Sequence, residues 1–528
     1  MPFAFFLYSF SQLNSGVGLR YLLLAIVLLK AVLMMAVIQY GDIALAPDEA
    51  QYWTWSQQLD WGYYSKPPGI AWDIWAGTQL FGNTELGVRF GALVISAILP
   101  FAAWHLAAAC GLNEAGRFLT GLVMALSPLG IISSLLATTD APFILFWTLC
   151  LAEFCLGLQQ KKAPNYLLIG LYVFLGALFK WPIYYLWGIM LLASWVWPYA
   201  RSRHFFTGVF ISLLGLLPSI SWNYSRNWPT FQHVFSTITG GHQATPANIP
   251  LFRGNFIEFV AAQAALLSPI LFVLLLLAGI KLVKARKQAP VPLLLCGCIS
   301  AGMFAIYAIS SLFMKMQGNW AVFVYPTAMV LIAWWAVQVL PGRYWVYGGT
   351  ALSVLLCLLL LIAPTLQANS YLRQLQIPYT VSPFRECLGW RKLTPLLQEL
   401  AVKFPGKFYL ADTYQMSSLL SFYGPEQQRA YFINLGKTRK NQFSYWPGLA
   451  QEHLGDDGIF VRLVQHPQKT DILAVSAAYQ HSLAPYFSEV EFTGYEPLFY
   501  SYGKPVKGAL FYKGYQYNGN EPASQEIY

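Results

Sequence analysis

Eleven long apolar segments limit the folds open to this chain more than any other feature of its sequence. Most of them hold the roughly 20 apolar residues that an α-helix needs to cross a hydrocarbon layer about 30 Å thick. Backbone N–H and C=O groups cannot stay unpaired in lipid, so segments of this kind cross it as helices. The sequence therefore predicts a polytopic α-helical membrane protein with about eleven transmembrane helices. The predicted spans are 19–38, 86–109, 115–136, 141–158, 164–179, 181–198, 205–222, 256–280, 291–313, 320–340 and 344–364.

The basic residues predict how these helices are oriented. Lys and Arg collect in the cytoplasmic loops of membrane proteins. With the N-terminus inside, the inside loops hold Lys161 and Lys162, the cluster 201–204 and the cluster 281–287. An odd number of spans then puts the C-terminal region on the outer side. In a bacterium this predicts an inner-membrane protein with a periplasmic C-terminal region, and a eukaryotic lumen is the alternative.

The composition changes to that of a soluble domain after Thr365. The chain up to Thr365 has 18 Lys and Arg against 10 Asp and Glu, whereas the remainder has 15 against 13. The basic excess of the first part predicts orientation signals and contact with lipid phosphate, and no binding of nucleic acid. We therefore divide the chain into a transmembrane domain, 1–365, and a C-terminal α/β domain, 366–528. Strands are predicted at 406–411, 429–434, 458–464, 497–502 and 509–517, and a helix at 415–422 that Asp412 would cap.

A long outer loop, 39–85, carries two adjacent acids, Asp48 and Glu49. Only 11% of the residues in this chain are charged, so carboxylates grouped at the end of a predicted span indicate a site. Pro47 and the two acids also make a good helix N-terminus, so helix capping is the alternative. The two interpretations are compatible, because a cap holds a carboxylate in place. The aromatic residues of the loop predict amphipathic helices along the membrane interface.

Three further polar sites fall at the outer ends of predicted spans. Lys66 precedes two prolines, and a cation on so rigid a bend suits a phosphate, with a snorkelling anchor as the alternative. Asp140 lies in a very short turn at membrane-surface depth, where an acid needs a partner or caps a helix. Lys315 is either a ligand-binding cation or part of an interface belt. Anchors or solvated loop residues are the better interpretation of His242, Arg253, Arg226 and Lys180.

The alternatives for these sites lose weight when the sites are taken together. Both acidic sites and both lysine sites share the outer face, whereas the inner face has only basic clusters. Such an arrangement is expected for chemistry on a lipid-linked phosphate substrate. The chain has no P-loop, no dinucleotide-binding fingerprint, no Gly-x-Ser-x-Gly and no zinc motif.

Three stretches of the chain resemble GT-C membrane glycosyltransferases. They are Asp48-Glu-Ala-Gln-Tyr-Trp-x-Trp-Ser56, Gly62-Tyr-Tyr-Ser-Lys-Pro-Pro-Gly-Ile-Ala-Trp72 and Phe81-Gly-x-x-Glu-x-x-x-Arg89. The resemblance is strongest to the bacterial branch of the dolichyl-phosphate-mannose protein mannosyltransferase superfamily, which includes lipid A aminoarabinose and galacturonic acid transferases. Thr139-Asp-Ala-Pro142 is similar to the acid of that family's second outer loop.

The resemblance implies a GT-C fold and an enzyme that moves one sugar from a polyprenyl-phosphate donor to an envelope acceptor, with inversion. It implies Asp48 as the base that takes the acceptor's proton, Glu49 as its support and Asp140 as the organiser of the site. Lys66 would bind the donor phosphate. Further substrate-binding candidates are Arg89, Lys315, Tyr52 and His242.

No cofactor is required if fixed cations stabilise the leaving phosphate. A divalent cation such as Mg²⁺ or Mn²⁺, held by Asp48 and Glu49, is the alternative. A glycolipid such as lipid A, or a polysaccharide, is favoured as acceptor over protein, because nothing in the sequence resembles a large inserted protein-binding domain. Two other classes stay open: a transporter or flippase of lipid-linked glycans, and an O-antigen ligase or polymerase.

Overall fold

The computed structural model describes residues 16–239, 253–339, 341–368, 379, 382, 384–436 and 438–522. The part up to Ala368 is helical, with short connections on one side and elaborated loops on the other. Its helices are α1 (Gly16–Tyr40), α2 (Pro47–Ser56), α3 (Gly69–Phe81), α4 (Glu85–Ala109), α5 (Glu114–Leu126), α6 (Pro128–Ile132), α7 (Asp140–Gln159), α8 (Tyr166–Ala177), α9 (Tyr185–Val196), α10 (His204–Leu213), α11 (Leu217–Tyr224), α12 (Pro229–Thr239), α13 (Phe256–Leu267), α14 (Pro269–Ala285), α15 (Val291–Phe313), α16 (Tyr325–Gln338) and α17 (Gly342–Ala368).

All eleven predicted spans contain helix, but not all are single long helices. Among the described residues, seven helical segments are long and apolar enough to cross a membrane, and α13 with α14 adds an eighth if the pair is one span. That pair is bent by 99°, at Ser268 before Pro269. Helix α5 has 13 residues and ends before Pro128, while α8 and α9 have 12 each. The chain is therefore a multi-pass membrane protein in which several spans are broken or short.

The outer loop 39–85 forms two helices, as predicted, but α2 is not an interfacial helix. Every residue from Glu49 to Ser56 is buried. The Trp53 ring packs edge-on against Phe422 of the C-terminal region at 5.0 Å, and the Tyr423 hydroxyl accepts a hydrogen bond from the Leu45 amide at 2.8 Å. The expectation fails because the aromatic rings of α2 are covered by the C-terminal region rather than by lipid headgroups.

The C-terminal region is an α/β layer built on one five-stranded sheet. The strands are β1 (Phe408–Ala411), β2 (Tyr431–Phe432), β3 (Gly458–Gln465), β4 (Phe487–Ser501) and β5 (Lys504–Tyr517), in the spatial order β2-β1-β3-β5-β4. β1 pairs with β2 and β3 in parallel, and β5 pairs with β3 and β4 in antiparallel. The helices are α18 (Leu393–Lys403), α19 (Tyr414–Tyr423), α20 (Leu449–Glu452) and α21 (Ile472–Leu483).

The prediction that Asp412 caps α19 is wrong. The Thr413 hydroxyl accepts the hydrogen bond from the Met416 amide and caps that helix. Asp412 is buried and accepts hydrogen bonds from Arg462 at 2.7 and 2.8 Å and from the Tyr479 hydroxyl at 2.9 Å. Its carboxylate therefore ties β1 to β3 and α21.

The C-terminal region and the outer loop share one hydrophobic core. Arg391 forms an ion pair with Glu85 at the start of α4, and the Tyr423 hydroxyl donates to the same carboxylate at 2.7 Å. The Gln442 side chain accepts from the Tyr64 amide at 2.8 Å. These contacts hold the C-terminal region directly over the residues that the sequence singled out.

Candidate active site

The two adjacent acids of α2 have opposite environments. The Glu49 carboxylate is 1% exposed and receives the Arg89 guanidinium through Nε at 2.9 Å and Nη2 at 2.7 Å. The amides of Ala46 and Ala137 donate to it at 2.9 and 2.8 Å. Two fork-to-fork hydrogen bonds and two amides satisfy both of its oxygens. Glu49 is a structural anchor in this arrangement and lacks a free oxygen for a substrate.

Arg89 is equally enclosed, which corrects its predicted role. Its side chain is 0% exposed, and besides Glu49 it donates to the carbonyls of Ile43 and Ala44 at 2.9 and 2.7 Å. A guanidinium with no solvent-accessible surface cannot reach a donor phosphate. Arg89 instead fixes the backbone that leads into α2, and the direction of the neighbouring Asp48 with it.

Asp48 is the free acid of the pair. Its side chain is exposed, and the described part of the chain offers it no hydrogen bond or ion pair within bonding distance. Lys66 of the outer loop and Arg439 of the C-terminal region are close enough to act on Asp48, and the space between these three residues is the outer cleft. Burial in this cleft raises the pKa of Asp48, while the positive charges of Lys66 and Arg439 oppose that rise. A carboxylate that is accessible and has a raised pKa is suited to accept a proton.

Lys66 is a free cation facing the same cleft. It lines a cavity of about 390 Å³, and it has no ion pair among the residues that the structure describes. Burial lowers the pKa of Lys66, Lys180 lowers it further, and Asp140 and Asp48 oppose the shift. The rest of the wall is largely aromatic, and includes Phe143, Phe179, Trp181, Tyr307, Trp320 and Phe323. A cation at one end of an aromatic trough fits a phosphate with an apolar tail.

Asp140 is held in place by residues from two other segments. Lys180, just before the 3-10 helix Trp181–Tyr184, donates to one carboxylate oxygen at 2.5 Å. Asn319, in the 3-10 helix Gly318–Val324, donates to the other at 2.8 Å. Asp140 therefore ties the start of α7 to both segments. The sequence predicted Lys180 to be an anchor or a solvated loop residue. Lys180 instead forms an ion pair with Asp140.

The remaining predicted residues fall in different places. Tyr52 is buried near Asp48 and Asp140. Burial and these two carboxylates raise the pKa of its hydroxyl. Lys315 is exposed and makes no hydrogen bond or ion pair with the described residues. His242 lies outside the residues that the structure describes. Arg226 is no free loop residue, because it binds Asp60 at 3.2 Å.

Residues of the C-terminal region that were not predicted as site residues also face the cleft. Arg439 follows β2, and its guanidinium Nη1 lies 3.1 Å from Nδ1 of His233 on α12. Burial lowers the pKa of His233 to about 4, and the charges of Arg439 and Lys66 add to the effect. Burial raises the pKa of Tyr414, the nearby Asp48 carboxylate raises it further, and the charge of Arg439 opposes the rise. These residues lie far apart in sequence and meet only in the folded chain.

The residues present do not fit a divalent ion on the two predicted acids. Mg²⁺ and similar ions need several oxygen ligands, and both oxygens of Glu49 are already used. Among the described residues, one cluster has three metal-capable groups, the buried thiols of Cys110, Cys155 and Cys296. It lies at the far end of α4 from the cleft.

The helical membrane part and the C-terminal α/β layer together form the GT-C fold. Residues 65–222 match the model of the family described as dolichyl-phosphate-mannose-protein mannosyltransferase. The structure of ArnT from Cupriavidus metallidurans bound to undecaprenyl phosphate is similar, with a TM-score of 0.59 and 14% identity, over 94% of this chain and 98% of that one. The apo form of ArnT gives a TM-score of 0.58 at 15% identity, with the same coverage. These likenesses confirm the predicted GT-C fold with a C-terminal α/β region.

The lipid A galacturonosyltransferase RgtD of Rhizobium johnstonii is 32% identical over 300 residues. The match covers 54% of this chain and 59% of that relative, which is less than two thirds of its length. Together with the family match, it confirms the resemblance to bacterial GT-C glycosyltransferases that the outer-loop motifs indicated.

Proposed function

We propose that this protein is a membrane glycosyltransferase that moves a single sugar from a polyprenyl-phosphate donor to a glycolipid on the outer face of the membrane. One observation carries the proposal. A free carboxylate, Asp48, and a free ammonium, Lys66, face one cleft, and the ammonium lines an aromatic cavity. The similarity to a lipid A galacturonosyltransferase supports lipid A as the acceptor class.

Asp48 acts as the base in the proposed reaction. The acceptor hydroxyl attacks the anomeric carbon, the bond from that carbon to the phosphate oxygen breaks, and its electron pair leaves with the polyprenyl phosphate. Asp48 takes the proton of the hydroxyl as the new glycosidic bond forms. Attack opposite the leaving phosphate inverts the anomeric centre. General-base help of this kind is worth roughly 10²- to 10⁴-fold in rate.

Lys66 holds the donor phosphate and stabilises the charge that develops on it. A fixed ammonium needs no reorganisation at the moment of reaction, and desolvation strengthens its attraction for an anion. Asp140 has a positioning role, because its carboxylate accepts hydrogen bonds from Lys180 and Asn319 and holds both beside the donor cavity. The reaction as proposed requires no metal ion, because these cations supply the charge stabilisation.

The proposed setting is the bacterial inner membrane, with the C-terminal region in the periplasm. The positive residues of the short loops support this orientation. The same orientation puts the cleft between the outer loop and the C-terminal region on the periplasmic side, where lipid A would receive the sugar from its polyprenyl-phosphate carrier. We propose 1–365 as the transmembrane domain and 366–528 as the periplasmic domain that covers it.

The test is mass spectrometry of envelope lipids, lipid A included, from four strains: wild type, a deletion, and deletions complemented with Asp48→Asn or Asp42→Asn. Asp42 is a matched control, because it is an exposed acid of the same loop that binds Thr365. We expect one sugar mass to disappear from a glycolipid in the deletion and in the Asp48→Asn strain, while Asp42→Asn restores it. A fully restored glycolipid in the Asp48→Asn strain would exclude Asp48 as the base.

A further inference from the structure

Arg439 reaches the cleft from the C-terminal region and stays without an anionic partner there. The side chain is exposed, and no carboxylate in the described part of the chain forms an ion pair with it. Its hydrogen-bond contact is the neutral ring of His233 at 3.1 Å, and the Tyr414 hydroxyl lies close enough for the Arg439 charge to lower its pKa. Arg is always charged and presents five donors, so a guanidinium with these neutral contacts keeps donors free for an oxyanion.

The segment that carries Arg439 is fixed on both sides. Before it, the Asn434 side chain accepts from the Thr438 amide at 2.8 Å and closes a tight loop. After it, Asn441 caps the 3-10 helix Gln442–Tyr445 through the Phe443 amide at 2.9 Å. Gln442 then accepts from the Tyr64 amide, two residues before Lys66. The guanidinium is therefore positioned relative to the outer loop, as a binding group requires.

Two cations of the cleft have no direct anionic partner among the described residues. Asp140 is used by Lys180 and Asn319. Lys66 and Arg439 then face one free carboxylate, Asp48, and both act on its pKa from a distance without forming an ion pair with it. A donor phosphate on Lys66 leaves the hydrogen-bond donors of Arg439 free for a second oxyanion.

We propose that Arg439, with Tyr414 and His233, forms an anion subsite for a phosphate or carboxylate group of the acceptor. His233 lines the same aromatic cavity as Lys66, and Arg439 lies next to His233 outside the lining of that cavity. An acceptor held by its anion at Arg439 would therefore bind beside a donor in the cavity, with a hydroxyl near Asp48. The C-terminal region thus takes part in choosing the acceptor. This inference rests on the proposed glycosyl transfer and deepens it.

His233 has a positioning role in the subsite, because its ring lies 3.1 Å from the Arg439 guanidinium. Because burial and the charges of Arg439 and Lys66 lower its pKa to about 4, the ring is neutral near neutral pH. A neutral imidazole beside a guanidinium adds no repulsion, and it orients the guanidinium by accepting one of its N–H groups. Tyr414 lies near the same guanidinium, whose positive charge opposes the rise in the pKa of the Tyr414 hydroxyl.

The test compares Arg439→Gln, Arg439→Lys and a control, Lys403→Gln, as full-length proteins in detergent. Lys403 is 66% exposed on α18 and loses the same unit of charge in the same region. Transfer is measured with varied donor and with varied acceptor, using purified lipid A with its phosphates and after their enzymatic removal. Binding of undecaprenyl phosphate alone is measured in parallel, and thermal unfolding checks that each variant is folded.

We expect Arg439→Gln to raise the KM for phosphorylated lipid A by at least tenfold, with the donor KM and undecaprenyl phosphate binding unchanged. Arg439→Lys should recover part of that loss, since it restores the charge but not the fork of donors. Dephosphorylated lipid A should be a poor acceptor for the wild type and no poorer for Arg439→Gln. An unchanged acceptor KM in Arg439→Gln overturns the inference, and so does a change confined to the donor KM. A wild type that transfers no sugar counts against the proposed function itself.

Discussion

At the scale of single residues, two neighbouring acids have separate duties. The sequence shows Asp48 and Glu49 as equivalent, and either could be the base or the cap. Burial separates them: Glu49 lies under α4 and meets Arg89, while Asp48 is one position earlier on the helix and faces the cleft. Residue type and spacing identified the pair. Which acid is buried as a structural group and which is free to act as a base depends on the face of α2 that the fold covers.

Glu49→Gln should therefore destabilise the protein rather than alter its chemistry. The substitution leaves the Arg89 guanidinium buried without its counter-charge, which costs roughly 3–5 kcal/mol. Asp48→Asn removes an exposed group and should change stability by no more than about 0.5 kcal/mol. Thermal unfolding of both purified variants measures the difference. A Glu49→Gln protein as stable as wild type but inactive would show that Glu49 takes part in catalysis.

The raised pKa of Asp48 predicts an acid limb in the pH dependence of kcat/KM. A base works only when ionised, so activity is present above its pKa and is lost as the pH falls through it. An ordinary Asp has a pKa of about 3.9. Since desolvation raises the pKa of Asp48, activity is lost at a higher pH than it would be with an ordinary Asp as the base.

Lys66→Met should shift this limb to higher pH. Its positive charge lowers the pKa of Asp48, and the substitution removes that effect. The residual activity of Lys66→Met, followed across pH, measures the shift. Lys315→Met is the control, and its limb should match that of the wild type. A limb that moves to lower pH in Lys66→Met contradicts the assignment of Asp48 as the base.

At the scale of elements, hydropathy and turn residues predicted most of the fold. Every predicted span contains helix, and β1, β3 and α19 fall close to their predicted positions. Helix length was harder to predict, because Pro128 and Pro269 break apolar stretches that read as continuous. Helices α18 and α21 were missed, since their amphipathic patterns lie within a polar region.

Close packing of α8 against α10 depends on two glycines. A Cβ on Gly208 would lie 2.2 Å from the Tyr166 carbonyl oxygen, and one on Gly170 would lie 2.5 Å from the Gly208 carbonyl oxygen. Backbones that approach this closely tolerate only small residues at the contact. The short α8 is thus held by close contact with its neighbour.

Gly208→Ala should destabilise the protein by about 1–3 kcal/mol, because the added methyl group forces the two helices apart. Gly188→Ala on α9 is the matched control, since no atom lies within 4 Å of its Cβ position. That control should be neutral or slightly stabilising. Thermal unfolding of the two variants in the same detergent compares them, and equal midpoints would contradict the packing argument.

At the scale of the whole molecule, the site belongs to both regions. The sequence was sufficient to locate the acids and lysines of the membrane part, because each of them lies in a short, continuous motif. It could not locate Arg439 or Tyr414, because their proximity to Asp48 arises from the docking of the C-terminal region over a loop far earlier in the chain. The same docking places Arg439 beside His233 of α12. The hydrophobic core that holds them together contains Trp53 and Trp55 of α2 and Leu419 and Leu420 of α19.

Removal of the C-terminal region should therefore unfold the outer loop. A chain ending at Ala368 would expose Trp53 and Trp55, which are 1% and 0% exposed in the whole protein. We expect such a chain to transfer no sugar, and loop 39–85 to be cut rapidly in limited proteolysis.

The control is a full-length protein with a protease site inserted between 368 and 384 and then cleaved. Because the shared core and the Arg391–Glu85 ion pair need no covalent link, the cleaved halves should stay associated and active. Loss of activity on cleavage would mean that the covalent connection, rather than the shared core, keeps the C-terminal region over the cleft.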